Sequence, residues 1–254
     1  MAVVGDGTVA AVAEVRGLSV GYRDRAVLRD LTVSLGRGGT TLLGVNGAGK
    51  TTLLRALAGD LAAGSGEIAL FGTAVSASRP EALLRRTGYL PQEVELPARM
   101  QVRDVVAYTA WLKKMPRRDV KAAVARWLDR VELTDRARDK VSTLSGGMRR
   151  RLSVACALVH DPDLVLLDEP TVGLDPEQRV GLRRLLAGLA ADRCLLVSTH
   201  QLSDVEHLGR RLLVLDGGRI VFDGDAAGLA GRDDGSGAGD TPLERGFAAV
   251  TGVG

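Results

Sequence analysis

Apolar positions along this chain switch between two periods. From Ala13 to Leu35 they alternate with polar ones, in AEVRGLSVGY and again in VLRDLTVSL, which predicts two half-buried strands joined by a polar turn around Arg23 to Arg25. TTLLG reads as a third strand, running through glycines into the helix KTTLLRALAG, which Gly59 can end. EIALFG at 67–72 and TGYLP at 87–91 supply further short strands. From Val102 to about Val131 the period becomes helical: VRDVVAYTAWLKKM and RRDVKAAVARWLDRV predict two amphipathic helices separated by Pro116. Then come SGGMRRRLSVACALVH as helix, DLVLLDE as strand, a helix from about Pro176 to Ala191, and CLLVSTH as strand. LVLL and CLLV do not alternate, as expected of parallel strands covered on both faces. RLLVLDGGRIVFDG predicts a hairpin turning at Gly217 and Gly218.

Strands and helices in alternation predict one α/β domain, over residues 13–230, with a helical lobe at about 93–143. GRDDGSGAGD then reads as a flexible linker, and TPLERGFAAVTG as a short helix capped by Thr241, within residues 231–254. With 45% hydrophobic and 26% charged residues among 254, the chain can bury a core, so disorder is not the default. The net charge of +3 comes from interspersed acids and bases, and no nucleic acid partner is expected. Cys156 and Cys194 are the two cysteines; they lie far apart in apolar runs without zinc-site spacing, and read as buried free thiols. MAVVGDGTVAAVAEV lacks a basic start and contains Asp6, so it does not read as a signal peptide. Nowhere do about eighteen apolar residues run together. A transport role would therefore place the membrane path in another polypeptide.

Two motifs carry chemistry by themselves. GVNGAGKT at 44–51 lies between a buried strand and a helix start, where glycines let backbone N–H groups converge and Lys50 adds a charge. That arrangement suits a phosphate, and the Thr51 hydroxyl suits Mg²⁺. LVLLDEP at 164–170 is a buried strand ending in two carboxylates. Beside a phosphate loop, Asp168 fits the metal shell and Glu169 fits a general base acting on water.

With these stand LSGG at 144–147, GLD at 173–175, TGYLPQ ending at Gln92, and STH ending at His200. In that order they resemble the signature, D-loop, Q-loop and switch histidine of the ABC (ATP-binding cassette) ATPases, over roughly residues 13–224. The resemblance implies a P-loop NTPase core with a mostly parallel sheet, an N-terminal antiparallel β lobe and a helical signature lobe. It implies ATP and Mg²⁺ as ligands, with Asn46, Gly47, Ala48, Gly49, Lys50, Thr51 and Thr52 around the phosphates and Tyr22 on the adenine. Thr51, Asp168 and Gln92 would serve the metal, and His200 the γ-phosphate. Ser145, Gly146, Gly147 and Asp175 would act on ATP held by another subunit, in a head-to-tail dimer with two composite sites. Met148 departs from the family's usual glutamine, which removes a side-chain hydrogen bond to the nucleotide sugar. GYLPQ and KKMP resemble the branch associated with multidrug or antibiotic exporters. The function so implied is ATP hydrolysis on the cytoplasmic face of a membrane, driving a separate transmembrane permease docked near Gln92 to Arg118. The rival readings are a non-transport ABC ATPase and a catalytically silent binding module. Intact Lys50, Asp168, Glu169 and His200 speak against silence.

Overall fold

The computed structural model describes residues 11–22, 25–75, 80–208, 210–233 and 239–252, without the side chains of Tyr22, Arg25 and Glu206. The turn expected at Arg23 to Arg25 and the middle of the expected linker lie outside the described residues.

β1 (Ala13–Tyr22) and β2 (Arg25–Leu35) pair antiparallel, with Ala13 opposite Leu35. Their alternation turns Val15, Leu18, Leu28, Leu31 and Leu35 inward. β3 (Gly38–Leu43) leads into α1 (Lys50–Ala58), which ends at Gly59 with φ 90°, the left-handed stop that its sequence predicts. β4 (Ser65–Leu70) and the short β5 (Thr73–Ala74) join the first hairpin in a four-stranded sheet ordered β2-β1-β4-β5, the expected antiparallel lobe.

After α2 (Glu81–Arg85) and β6 (Thr87–Leu90) comes the helical lobe, α3 (Val102–Leu112) and α4 (Arg117–Arg130), with Pro116 at the start of α4. α5 (Gly146–Leu158) packs against both. The chain continues through β7 (Leu164–Asp168), α6 (Pro176–Leu189), β8 (Cys194–Thr199), α7 (Leu202–Leu208), β9 (Arg211–Asp216) and β10 (Arg219–Gly224). α8 (Ala226–Ala230) and α9 (Pro242–Thr251) close it.

The second sheet runs β10-β9-β3-β8-β7-β6, parallel except for the β9–β10 hairpin, which turns at Gly217 and Gly218 as predicted. Both glycines have positive φ, 51° and 81°, as a two-residue turn of this hand requires. Period-two geometry shows why β7 and β8 are apolar throughout. Leu164, Leu166, Cys194 and Leu196 face the core shared with α1 and the β lobe. Val165, Leu167, Leu195 and Val197 face the core shared with α3 to α6. A smaller cluster joins Val214, Phe222 and Leu229 to Leu243, Phe247 and Val250 of α9. Thr241 and Glu244 form a capping box at the start of α9. Among the described residues no helix is long and apolar enough to cross a membrane.

Candidate functional site

In an open parallel sheet the strand carboxyl ends leave loops facing one crevice. Here the ends of β3, β7 and β8 border a cavity of about 770 Å³ lined by Asn46, Gly47, Gly49, Lys50, Thr51, Thr52, Gln92, Glu169 and His200. Ala26, Val27 and Arg29 of β2, Val172, and the Gly217–Gly218 turn complete the wall. A cavity of similar size, about 740 Å³, lies between the other end of β3 and α6, and none of the candidate residues lines it.

The loop after β3 is shaped by Gly49, whose φ of 112° suits glycine and whose added Cβ would sit 2.8 Å from Leu28 Cδ2. Gly49 caps α1 without offering a side-chain acceptor, so the helix start keeps donors for a ligand. The loop curls around Lys50, whose Nζ donates to Gly44 O at 2.7 Å and Val45 O at 3.1 Å. Burial holds the Lys50 ammonium below its usual pKa, against the opposing pull of Glu169 and Asp168.

The two carboxylates after Leu167 have different surroundings. Asp168 is fully buried. Its Oδ1 accepts from Ser198 Oγ, and its Oδ2 has no hydrogen-bond partner. A buried orphan oxygen of this kind fits a hard cation or a water bound to one. Glu169 takes the left-handed backbone, φ 48°, and its N–H donates to the same Ser198 hydroxyl at 3.0 Å. Its Oε1 lies 3.0 Å from His200 Nδ1 and 3.6 Å from Lys50 Nζ. Behind His200, buried Asp204 accepts from Thr171 Oγ1 at 2.7 Å and Thr199 Oγ1 at 3.3 Å, and pairs with Arg183. The segments on either side of Glu169 and His200 are thereby held to each other.

This geometry, a glycine-rich loop and helix start with a carboxylate, an ammonium and an imidazole converging on it, suits a phosphate. Residues 28–172 match the family model of the ABC transporter. The chain belongs to the ABC transporter family of ATP-binding proteins. It is 37% identical over 213 residues to a Nod factor export ATP-binding protein I of Rhizobium meliloti, covering 83% of this chain and 63% of that one. It is 31% identical to the linearmycin resistance ATP-binding protein LnrL of Bacillus subtilis, covering 83% and 68%. The chain thus spans about two thirds of the length of these curated relatives. A solved ATP-binding subunit of an ABC transporter superposes with TM-score 0.82 at 26% identity, over 94% of this chain and 99% of that one. The cbiO1 protein of Clostridium perfringens, part of the ABC transporter complex cbiONQ, gives 0.76 at 27%, over 85% and 88%. ATP is therefore the nucleotide of this family member, and ATP hydrolysis coupled to transport is the family's activity.

Within this ABC protein the predicted residues fall into two groups. Most of the phosphate-loop residues share the cavity with Gln92, Glu169 and His200, and Asp168 sits just behind it. Ala48 is buried beneath the loop, its N–H bonded to Val45 O and its carbonyl accepting from Gly218 N. Ser145, Gly146, Gly147 and Asp175 lie outside this cavity, as helix-start residues of α5 and α6. Ser145 and Gly146 are exposed, and the Met148 side chain packs into the helical core. The Tyr22 side chain is outside the described residues. Three contributors have no role assigned by the motifs: Ser198, which opens STH and bonds both acidic positions; Arg150, half-buried behind them; and the β2 wall. The sequence signal for Ser198 is its place at the head of STH, directly after an apolar run.

Proposed function

We propose that this chain hydrolyses ATP between two copies of itself and so drives export through a transmembrane permease on a separate chain, from the cytoplasmic face of the membrane. The observation that carries the chemistry is the meeting of Lys50, Glu169 and His200 in one cavity at the start of α1.

In this reading the N–H groups after Gly47 and the Lys50 ammonium bind the triphosphate, with Asn46 and Thr52 beside them. Glu169 takes a proton from a water whose oxygen attacks the γ-phosphorus, and the bond to the departing ADP oxygen breaks, with no covalent intermediate. His200, with Nδ1 3.0 Å from Glu169 Oε1, orients that carboxylate beside the γ-phosphate. Thr51, Asp168 and Gln92 would hold Mg²⁺, which supplies charge neutralisation at the β- and γ-phosphates when bound. Ser145, Gly146, Gly147 and Asp175 act in trans, which the exposure of Ser145, Gly146 and Asp175 away from this chain's own cavity supports; Gly147 is buried behind them and would offer its backbone. Tyr22 is retained as the adenine contact.

Export is supported by the printed activities of the relatives, one an export and one a resistance ATP-binding protein. On α3, Tyr108, Trp111 and Leu112 are exposed, and Tyr108 stacks on Trp111 with ring centroids 5.8 Å apart, which favours permease docking near there. Val105 belongs instead to the core, and Lys113 turns back to donate to Leu84 O and Thr87 O, so the docking face is narrower than the segment.

Glu169→Gln tests the site. ATP affinity should stay within about twofold while turnover falls at least roughly a hundredfold, the scale of a lost general base. Turnover within a few-fold of the unaltered chain would remove Glu169 from this role.

A further inference from the structure

The run MRRRL at the start of α5 holds three consecutive arginines, and the structure gives them different tasks. Arg149 donates to Leu144 O at 2.7 Å, and Arg151 to Val131 O at 2.9 Å and to Glu132 Oε2 at 2.8 Å, so both serve the local packing of α5. Arg150 reaches the strand ends. Its NH1 donates to Pro91 O at 3.0 Å and Gln92 O at 2.9 Å. Its NH2 donates to Asp168 O at 2.6 Å and Glu169 O at 2.8 Å, and its Nε to Pro170 O at 3.3 Å. A guanidinium has five N–H groups in a planar fork, and these contacts use that whole capacity on main-chain carbonyls.

β6 and β7 stop pairing at Leu90 opposite Leu167, so the carbonyls just beyond are where that ladder no longer supplies donors. Arg150 takes over from the ladder there and bridges the segment bearing Gln92 to the segment bearing Glu169. The Glu169 backbone, in the left-handed region, is held by Arg150 through the carbonyl on each side of its N–H and by Ser198 through the N–H itself. Five residues before Arg150 on the same short stretch is Ser145, at the exposed start of α5.

We infer that Arg150 is a positioning residue that couples the exposed start of α5 to Glu169 and Gln92, so that engagement of Ser145 by nucleotide sets the hydrolytic carboxylate. The inference rests on the reading of the site proposed above. A rigid helix cannot shift at its start without moving the guanidinium, and the guanidinium cannot move without pulling two loops at once. Charge alone does not do this: a lysine ammonium has three donors on one atom and cannot span five carbonyls on two segments.

The test compares Arg150→Gln and Arg150→Lys with the unaltered chain and with Glu169→Gln, reading ATP affinity, KM, kcat and melting temperature. Both Arg150 variants should bind ATP within about twofold of the unaltered chain, with KM unchanged and kcat reduced about ten- to a hundredfold, because the contacts at stake orient the reacting groups rather than the ground-state triphosphate. Lysine should restore little of the loss. If the glutamine variant fails to fold, the lysine variant is read alone for the same split. A kcat within twofold in a folded variant, full rescue by lysine, or affinity falling in step with kcat overturns the inference. A Glu169→Gln chain that still turns over removes the reading of the site, and this inference with it. An inactive Glu169→Gln beside an undiminished Arg150→Gln removes the inference alone.

Discussion

Two helix starts in this protein are rich in glycine, and they differ in what faces them. α1 begins inside the molecule: Gly49 and Lys50 are buried, no side chain caps the helix, and Glu169 and His200 stand across the cavity. α5 begins at the surface: Ser145 and Gly146 are exposed, and Ser145 Oγ caps the helix by accepting from Met148 N at 3.2 Å. Both ends carry the positive pole of a helix dipole. The first has its candidate reacting groups within one chain, whereas the second, in the proposed function, acts on an anion brought from outside. A composite site between two copies reconciles them, because each chain then supplies one complete cradle and one half that acts elsewhere.

The largest effect expected from breaking this comparison is at α1. Lys50→Ala removes a charge that acts on the bound triphosphate in the ground state, worth about 3 kcal/mol for two charge-assisted hydrogen bonds. Equilibrium titration should show ATP binding roughly a hundredfold weaker, with hydrolysis lost as well. Unchanged affinity would mean that the loop does not hold the phosphates. The smaller effect is at α5. Ser145→Ala removes a helix cap worth about 1 kcal/mol, so melting should drop slightly while a single chain binds ATP as before. ATP-driven association, followed by light scattering, should weaken about tenfold, the factor for losing one hydrogen bond of about 1.5 kcal/mol to a charged phosphate. A loss of single-chain ATP affinity would put Ser145 in its own chain's cavity instead.

The strands, the main helices and the placing of Lys50, Asp168 and Glu169 around one loop are legible in the sequence for a common reason. Strand ends followed by a tight loop leave a local signature, as GVNGAGKT and DLVLLDEP do. The short elements α2, α7 and α8 were not read, since five to seven residues barely complete a helical period and tertiary packing decides them. Ser198, Arg150 and the β2 wall were hidden for a different reason. Each acts on a residue distant in sequence, and Arg150 looked like one basic side chain among three until the structure placed the ends of β6 and β7 beside it. The docking face shows the same limit: periodicity could not separate buried Val105 from exposed Trp111 within one helix.

The central claim is that the start of α5 in one copy faces the phosphate loop of another across ATP. It can be measured by mixing two chains, both carrying Glu169→Gln, one with Asn46→Cys and the other with Ser145→Cys, and treating them with a short thiol-to-thiol cross-linker. Asn46 and Ser145 are exposed, whereas native Cys156 and Cys194 are buried with thiols pushed up to about 11 and about 12, so they stay silent. The account predicts a cross-linked species of twice the 26.7 kDa chain mass, formed from the mixture in the presence of ATP and not without it. Cross-linking that ignores ATP, or that appears with Ser145→Cys chains alone and not with the mixture, would contradict it.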